Sequence, residues 1–168
     1  MVAIAREVAP GRWRAVAGRC FEEFTLGHVY EHRPGRRISE ADNTWFTLLT
    51  INQHPLHFDA SYAAKSEFGR LVVNSCLTLA IVAGMSVADV SQQAVANLGW
   101  TDIKLTAPVF VGDTIYAESE VLAKRESASR PTQGIVTVRT TGKKADGGVF
   151  MTYERTVLVP KRGYAIEA

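Results

Sequence analysis

With 168 residues, 46% apolar and 21% charged, the chain has the length and composition of one globular domain that buries a core without metal or disulfide staples. A net charge of +2 gives no electrostatic case for nucleic acid, and any anionic partner must be met locally. Cys20 and Cys76 are too few and too far apart for a disulfide framework or a metal knuckle, which fits a reducing cytoplasm.

No apolar run reaches the ~18 residues that cross a bilayer, because Cys76 to Ala88 is shorter and is broken by Thr78, Gly84 and Ser86. The opening MVAIAREVAPGRWRAVAGR is rich in Ala and Arg in the manner of a transit peptide, but Glu7 and the early Pro10-Gly11 weaken that reading. Residues 1–20 therefore read as a loosely ordered N-terminal arm.

FEEFTLGHVYEH carries a turn around Leu26-Gly27 and then a short strand from Val29 to His32. ISEADNTWFTLLTIN is a short helix that delivers Asn52 at its end. Ser39, or Ile38 and Ser39 together, with Asp42 supplies the cap and a first-turn acid, and Asp42-Asn43 read as helix-start residues. Pro55 breaks the chain, and Asp59 caps a second short helix, ASYAAKSEF, ended by Gly69.

Asn74 or Ser75 caps an apolar helix that begins at Cys76. Its apolar residues on almost every side require that something wrap it, which makes it a central helix. From Val95 onward the pattern turns to alternation and gives four strands, joined by Pro108–Gly112, by a turn around Pro131-Gly134 and by another around Ala145-Gly148. A long helix followed by an antiparallel sheet that curls around it is an α+β arrangement.

The chemistry-bearing residues concentrate between Thr50 and Gly69, where Asn52, His54, His57 and Asp59 interrupt a run otherwise built for burial. Taken singly, each has a plain reading: His57 a core histidine satisfied by backbone, Asn52 a helix end, His54 a loop residue before proline, Asp59 an N-cap. Each also has a chemical one, since imidazole exchanges protons near neutral pH and an amide orients a water by donating one hydrogen bond and accepting another. Arg125, Arg130 and Arg139 cluster on a strand and its turn, either as a solvated sheet edge or as an anion site; Arg130, beside Pro131, is the candidate for a phosphate or a substrate carboxylate.

The run NQHPLHFDASYA resembles the signature of the MaoC-like dehydratases, the hot-dog-fold group that includes the (R)-specific enoyl-CoA hydratases. Pro55, Leu56, His57, Asp59, Tyr62 and Ala63 match it, whereas Asn52 stands where the family has its catalytic Asp and His54 where it has Asn. FGRLVVNSCLTLA resembles the segment that leads into the family's central helix, with Asn74 at a His position and Ser75 at a Gly; PVFVGDTI resembles the strand that follows. The resemblance covers about residues 21–160 and leaves 161–168 as a tail.

What the resemblance implies is a hot-dog fold that acts as a homodimer or higher oligomer. Its activity would be syn hydration of an enoyl-CoA, or the reverse dehydration, in a pocket at the dimer interface. Coenzyme A is then part of the substrate, with no further cofactor and no metal. His57 takes the acid/base role, Asn52 positions the water, the Ser75 amide holds the thioester oxyanion, and Asn74, His54 and Arg130 contact substrate. The altered signature resembles that of members acting on short branched or dicarboxylic thioesters of the mesaconyl or itaconyl type. Because Asn52 cannot act as a base, an acyl-CoA thioesterase and a non-catalytic acyl-CoA binder stand as alternatives.

Overall fold

Alternating burial builds the main sheet. In the computed structural model, which describes residues 4–16 and 18–166, four long antiparallel strands follow one another: β4 (Ala96–Leu105), β5 (Thr114–Glu126), β6 (Gln133–Lys144) and β7 (Val149–Pro160). With β3 (Val29–Arg37) they form one five-stranded sheet in the order β3-β5-β6-β7-β4. Ile115, Ala117 and Val121 of β5, Val136 and Val138 of β6, and Met151, Tyr153 and Val157 of β7 alternate onto the inner face and are buried. Each such aliphatic side chain contributes roughly 1.5–3 kcal/mol of transfer free energy.

Across that face lies α3 (Ser75–Met85), whose Leu77 and Val82 pack with Ile115, Ala117, Phe150 and Tyr153. The helix starts at Ser75, one residue before the sequence reading, because the Asn74 side chain accepts from the Cys76 N–H and caps it. Within one chain the sheet covers a single face of α3, and Cys76, Ala80 and Gly84 on the opposite side are exposed. Its C-terminal end runs into a π-helical turn over Val87–Ser91.

β3 exceeds the expected four residues and continues to Arg37 through a register shift between His32 and Arg36, the kind of irregularity an edge strand tolerates around Pro34. α1 (Glu40–Leu49) has the expected cap: Ser39 accepts from the Asp42 N–H, while the Asp42 carboxylate takes the Ser39 N–H and hydroxyl. The second short helix is shorter than expected. Only α2 (Ala60–Ala63) is helical, since Ser66 turns its hydroxyl back on the Ala63 carbonyl and accepts the Phe68 N–H, diverting the backbone.

The N-terminal arm departs from its reading as well. Its described residues form a hairpin of β1 (Ile4–Ala9) and β2 (Arg12–Val16) around Gly11, whose φ of 70° suits glycine, and this pair is a sheet of its own. Met1 to Ala3 and Ala17 lie outside the described residues.

A polar knot crosses the interior beside the turn that follows α3. His32, fully buried, places Nδ1 at 2.9 Å from the Asp89 carboxylate and Nε2 at 2.8 Å from Ser119 Oγ, which in turn meets Thr140. Burial pushes the His32 imidazole below its usual range, with Asp89 pulling the other way. Among the described residues no helix is long and apolar enough to cross a membrane.

Candidate active site

At one end of the sheet, where β4 finishes at Leu105 and β7 begins, a cavity of about 360 Å³ opens beside the start of α3. Its walls are mainly apolar, with Phe68, Leu105 and Phe150 among them; His57, Ser75 and Thr78 bring polar groups. Gly142 is required for this wall. A Cβ there would come within 2.7 Å of the Phe150 ring, so any side chain would push that ring from its place.

His57 reaches the cavity from a 3-10 turn over Pro55–His57 that starts, as its fixed φ suits, with a proline. The His57 Nδ1 lies 2.9 Å from the Val72 carbonyl oxygen. A carbonyl only accepts, so Nδ1 carries a proton, and in the neutral ring the lone pair is then on Nε2, the tautomer a base needs. The ring is half-buried and lines the cavity with Ser75. The imidazole is therefore neither sealed in the core nor fully in solvent.

Ser75 is the first residue of α3, where backbone N–H groups lack intrahelical partners. The Cys76 N–H goes to the Asn74 side chain, and those of Leu77 and Thr78 go to the Asn74 carbonyl. Among the described residues the Ser75 N–H meets no acceptor, and it stands at the positive end of an 11-residue helix facing the cavity. Such a donor suits developing negative charge.

Other candidate residues take different places. Asn74 is 3% exposed and spends its side chain on the Cys76 N–H and on Thr47 Oγ1, at 3.0 and 3.3 Å; it is a cap and not a cavity wall. Asn52 lies outside the cavity lining and accepts the His54 N–H at 3.0 Å, closing a local turn that Pro55 follows. His54 is exposed and its Nδ1 accepts from Leu56 N, with its ring 5.8 Å from that of His57 and 6.2 Å from that of Tyr62. It neighbours the imidazole without lining the cavity.

Within one chain Arg130 does not line the cavity. It lies in the turn between β5 and β6, bonding Gln133, and the β5–β6 ladder that separates it from the cavity end runs from Glu126↔Gly134 to Ile115↔Lys144. Asp59 is the N-cap of α2, as read from sequence.

The residue missed by sequence reading is Asn43. It is completely buried, and its side chain bonds His57, Val72 and Asn74 at once. Three residues after the exposed start of α1 at Glu40, it carried no signal beyond that of an ordinary helix-start asparagine.

Comparison with known proteins places the chain in a family. The family model described as mesaconyl-CoA hydratase matches residues 12–168. A mesaconyl-CoA hydratase of Cereibacter sphaeroides is 35% identical over 90% of this chain, which spans only 44% of that relative's length. An (R)-specific enoyl-CoA hydratase of Aeromonas caviae is 30% identical over 76% of this chain, and there the match covers 91% of the relative. A Mycobacterium tuberculosis protein with a double hot-dog fold superposes with a TM-score of 0.80 at 21% identity, over 90% of this chain and 47% of that one, a likeness of fold alone. The chain belongs to the MaoC-like dehydratase family of hot-dog proteins, in the group whose family model is described as mesaconyl-CoA hydratase.

Proposed function

We propose that this chain is an enoyl-CoA hydratase, or in reverse a 3-hydroxyacyl-CoA dehydratase, acting with (R)-stereochemistry on a short, branched or dicarboxylic thioester of the mesaconyl type. One observation carries the reading: a histidine whose Nδ1 is held on a backbone carbonyl, and a helix-start residue whose N–H meets no acceptor among the described residues, line the same cavity. Water attacks the β-carbon while His57 Nε2 takes its proton, and the electron pair of the double bond moves toward the thioester oxygen. The Ser75 N–H stabilises that oxyanion. His57 then returns the proton to the α-carbon from the same side, so that one group serves as base and acid and the addition is syn. Asn52 shapes the turn ahead of His57 in this mechanism and does not hold the water.

The acyl class rests on the relatives' names and on the altered signature at Asn52 and His54. A second hot-dog unit is part of the proposal, supplied by a second copy of the chain. The reading is supported by the free edge of β4, where Leu98, Trp100, Ile103 and Leu105 are exposed, and by the open face of α3. A panel of enoyl-CoA thioesters separates the activities. Loss of enoyl absorbance, greatest for mesaconyl-type substrates, is the expected result. Release of free thiol would mean hydrolysis, and binding with neither change would mean a thioester-binding protein.

A further inference from the structure

Three segments meet on one buried carboxamide. Asn43 Nδ2 donates to the His57 carbonyl at 2.7 Å and to the Val72 carbonyl at 3.1 Å, and Oδ1 accepts the Asn74 N–H at 2.9 Å. The Val72 carbonyl is the same one that receives His57 Nδ1 at 2.9 Å. Asn43 itself has no solvent exposure, so every one of these bonds is made in a low-dielectric interior, where an unmade one is costly.

We infer that Asn43 is a positioning residue for the site, fixing the His57 tautomer and the Ser75 N–H in one frame; this rests on the reading of His57 as the base. A carbonyl oxygen has two lone pairs. Asn43 occupies one on Val72 and so sets the tilt of that peptide, which leaves the other aimed at His57 Nδ1. Through the His57 carbonyl it also anchors the backbone that carries the ring, and through the Asn74 N–H it anchors the residue that starts α3 and immediately precedes Ser75. If the Val72 acceptor swings away, the proton is free to move to Nε2, and the nitrogen facing the cavity ceases to be a base.

The residue type is demanded by the bonding pattern. Two donors and one acceptor are needed at this reach. An ionised Asp has no donor, Ser and Thr have one, and Gln is longer by a methylene. α1 holds the amide rigidly, since its N-terminus is fixed by the Ser39–Asp42 capping box.

The test compares Asn43→Ala and Asn43→Ser with Val136→Ala, a truncation in a separate core cluster that lowers stability without touching the cavity. Imidazole ¹⁵N resonances of His57 are read on the full chain without substrate, and kcat and KM are read separately on the enoyl-CoA hydrated best. Unsubstituted protein and Val136→Ala should show the Nδ1–H tautomer alone and equal kcat. Asn43→Ala should show mixed tautomers and a kcat about a hundredfold lower with KM nearly unchanged, the cost of a misplaced catalytic group. Asn43→Ser keeps one donor, should fall between, and carries the test if Asn43→Ala fails to fold. Folded Asn43 variants with the wild-type spectrum, or a Val136→Ala spectrum disturbed as much as theirs, would overturn the inference. Should the unsubstituted protein hydrate nothing, the hydratase reading fails and the tautomer spectra alone decide on Asn43.

Discussion

Ser75 separates the chemical role of a backbone group from that of a side chain. It occupies the first helical position of α3, where proline is well tolerated because that N–H makes no helix bond. The preceding Asn74 has φ −56° and ψ 125°, the extended conformation that a following proline demands. Ser75→Pro should therefore keep the fold, with a thermal midpoint within a few degrees, and still lose kcat by about 10²–10³-fold through the missing oxyanion donor. Unchanged kcat in a folded Ser75→Pro protein would remove the amide from the mechanism. At this scale the sequence was legible where a motif set the residue in context: His57 and Ser75 share a cavity as the resemblance implied. Within one chain Asn74 and Arg130 lie away from the cavity lining: Asn74 caps its own helix and Arg130 bonds Gln133 on the far turn, and a cap or a turn arginine looks no different in sequence from a substrate contact. Asn43 was invisible, because its three partners lie 14, 29 and 31 residues away.

Elements were read best where burial imposes a period. β5 to β7 follow the alternation because each strand keeps one face against the core, whereas β4 is a largely exposed edge with no buried residue, and α2 was overextended because Ser66 ends it by a side-chain bond that composition does not reveal. The end of α1 holds a device that sequence gives no reason to expect. Ile51 N–H bonds the Leu48 carbonyl and Asn52 N–H the Thr47 carbonyl, a Schellman ending with Ile51 at the left-handed position, φ 59°. Glycine normally fills that place; a β-branched residue there is strained by roughly 1–2 kcal/mol. Ile51 is 81% exposed, so it recovers little by packing within one chain. Ile51→Gly should raise the thermal midpoint by roughly 2–4 °C, a gain of about 1 kcal/mol in a chain of this size, measured by calorimetry. A lowered midpoint would mean that the exposed side chain is buried against a partner and contributes more than the strain it costs.

At the scale of the whole molecule, the buried polar knot is where the fold answers to pH. His32 joins β3 to β5 and, through Asp89, to the turn after α3, while Arg19 bonds Asp89 from the N-terminal side. Its imidazole is held below the usual ~6.5 chiefly by burial, so the unfolded chain takes up this proton first as pH falls. The stability linked to His32 is therefore complete above about pH 6.5 and is lost as pH falls below it. Melting curves from pH 7.5 to 5 should show the midpoint of the unsubstituted protein falling more steeply than that of His32→Gln; equal slopes would mean that His32 does not carry this dependence. The overall topology was legible because a long apolar helix and four alternating strands leave few ways to bury both. The proposed second unit rests on the resemblance and, in the structure, on the uncovered side of α3 and the exposed apolar residues of β4. The central claim is that the His57 imidazole moves the proton in adding water to a thioester-bound double bond. Its most direct measurement is the steady-state hydration rate of His57→Ala on the enoyl-CoA that the unsubstituted protein turns over fastest. A loss of about 10²–10⁴-fold in kcat with the fold intact is the expected result; a folded His57→Ala protein that hydrates at the unsubstituted rate would contradict it.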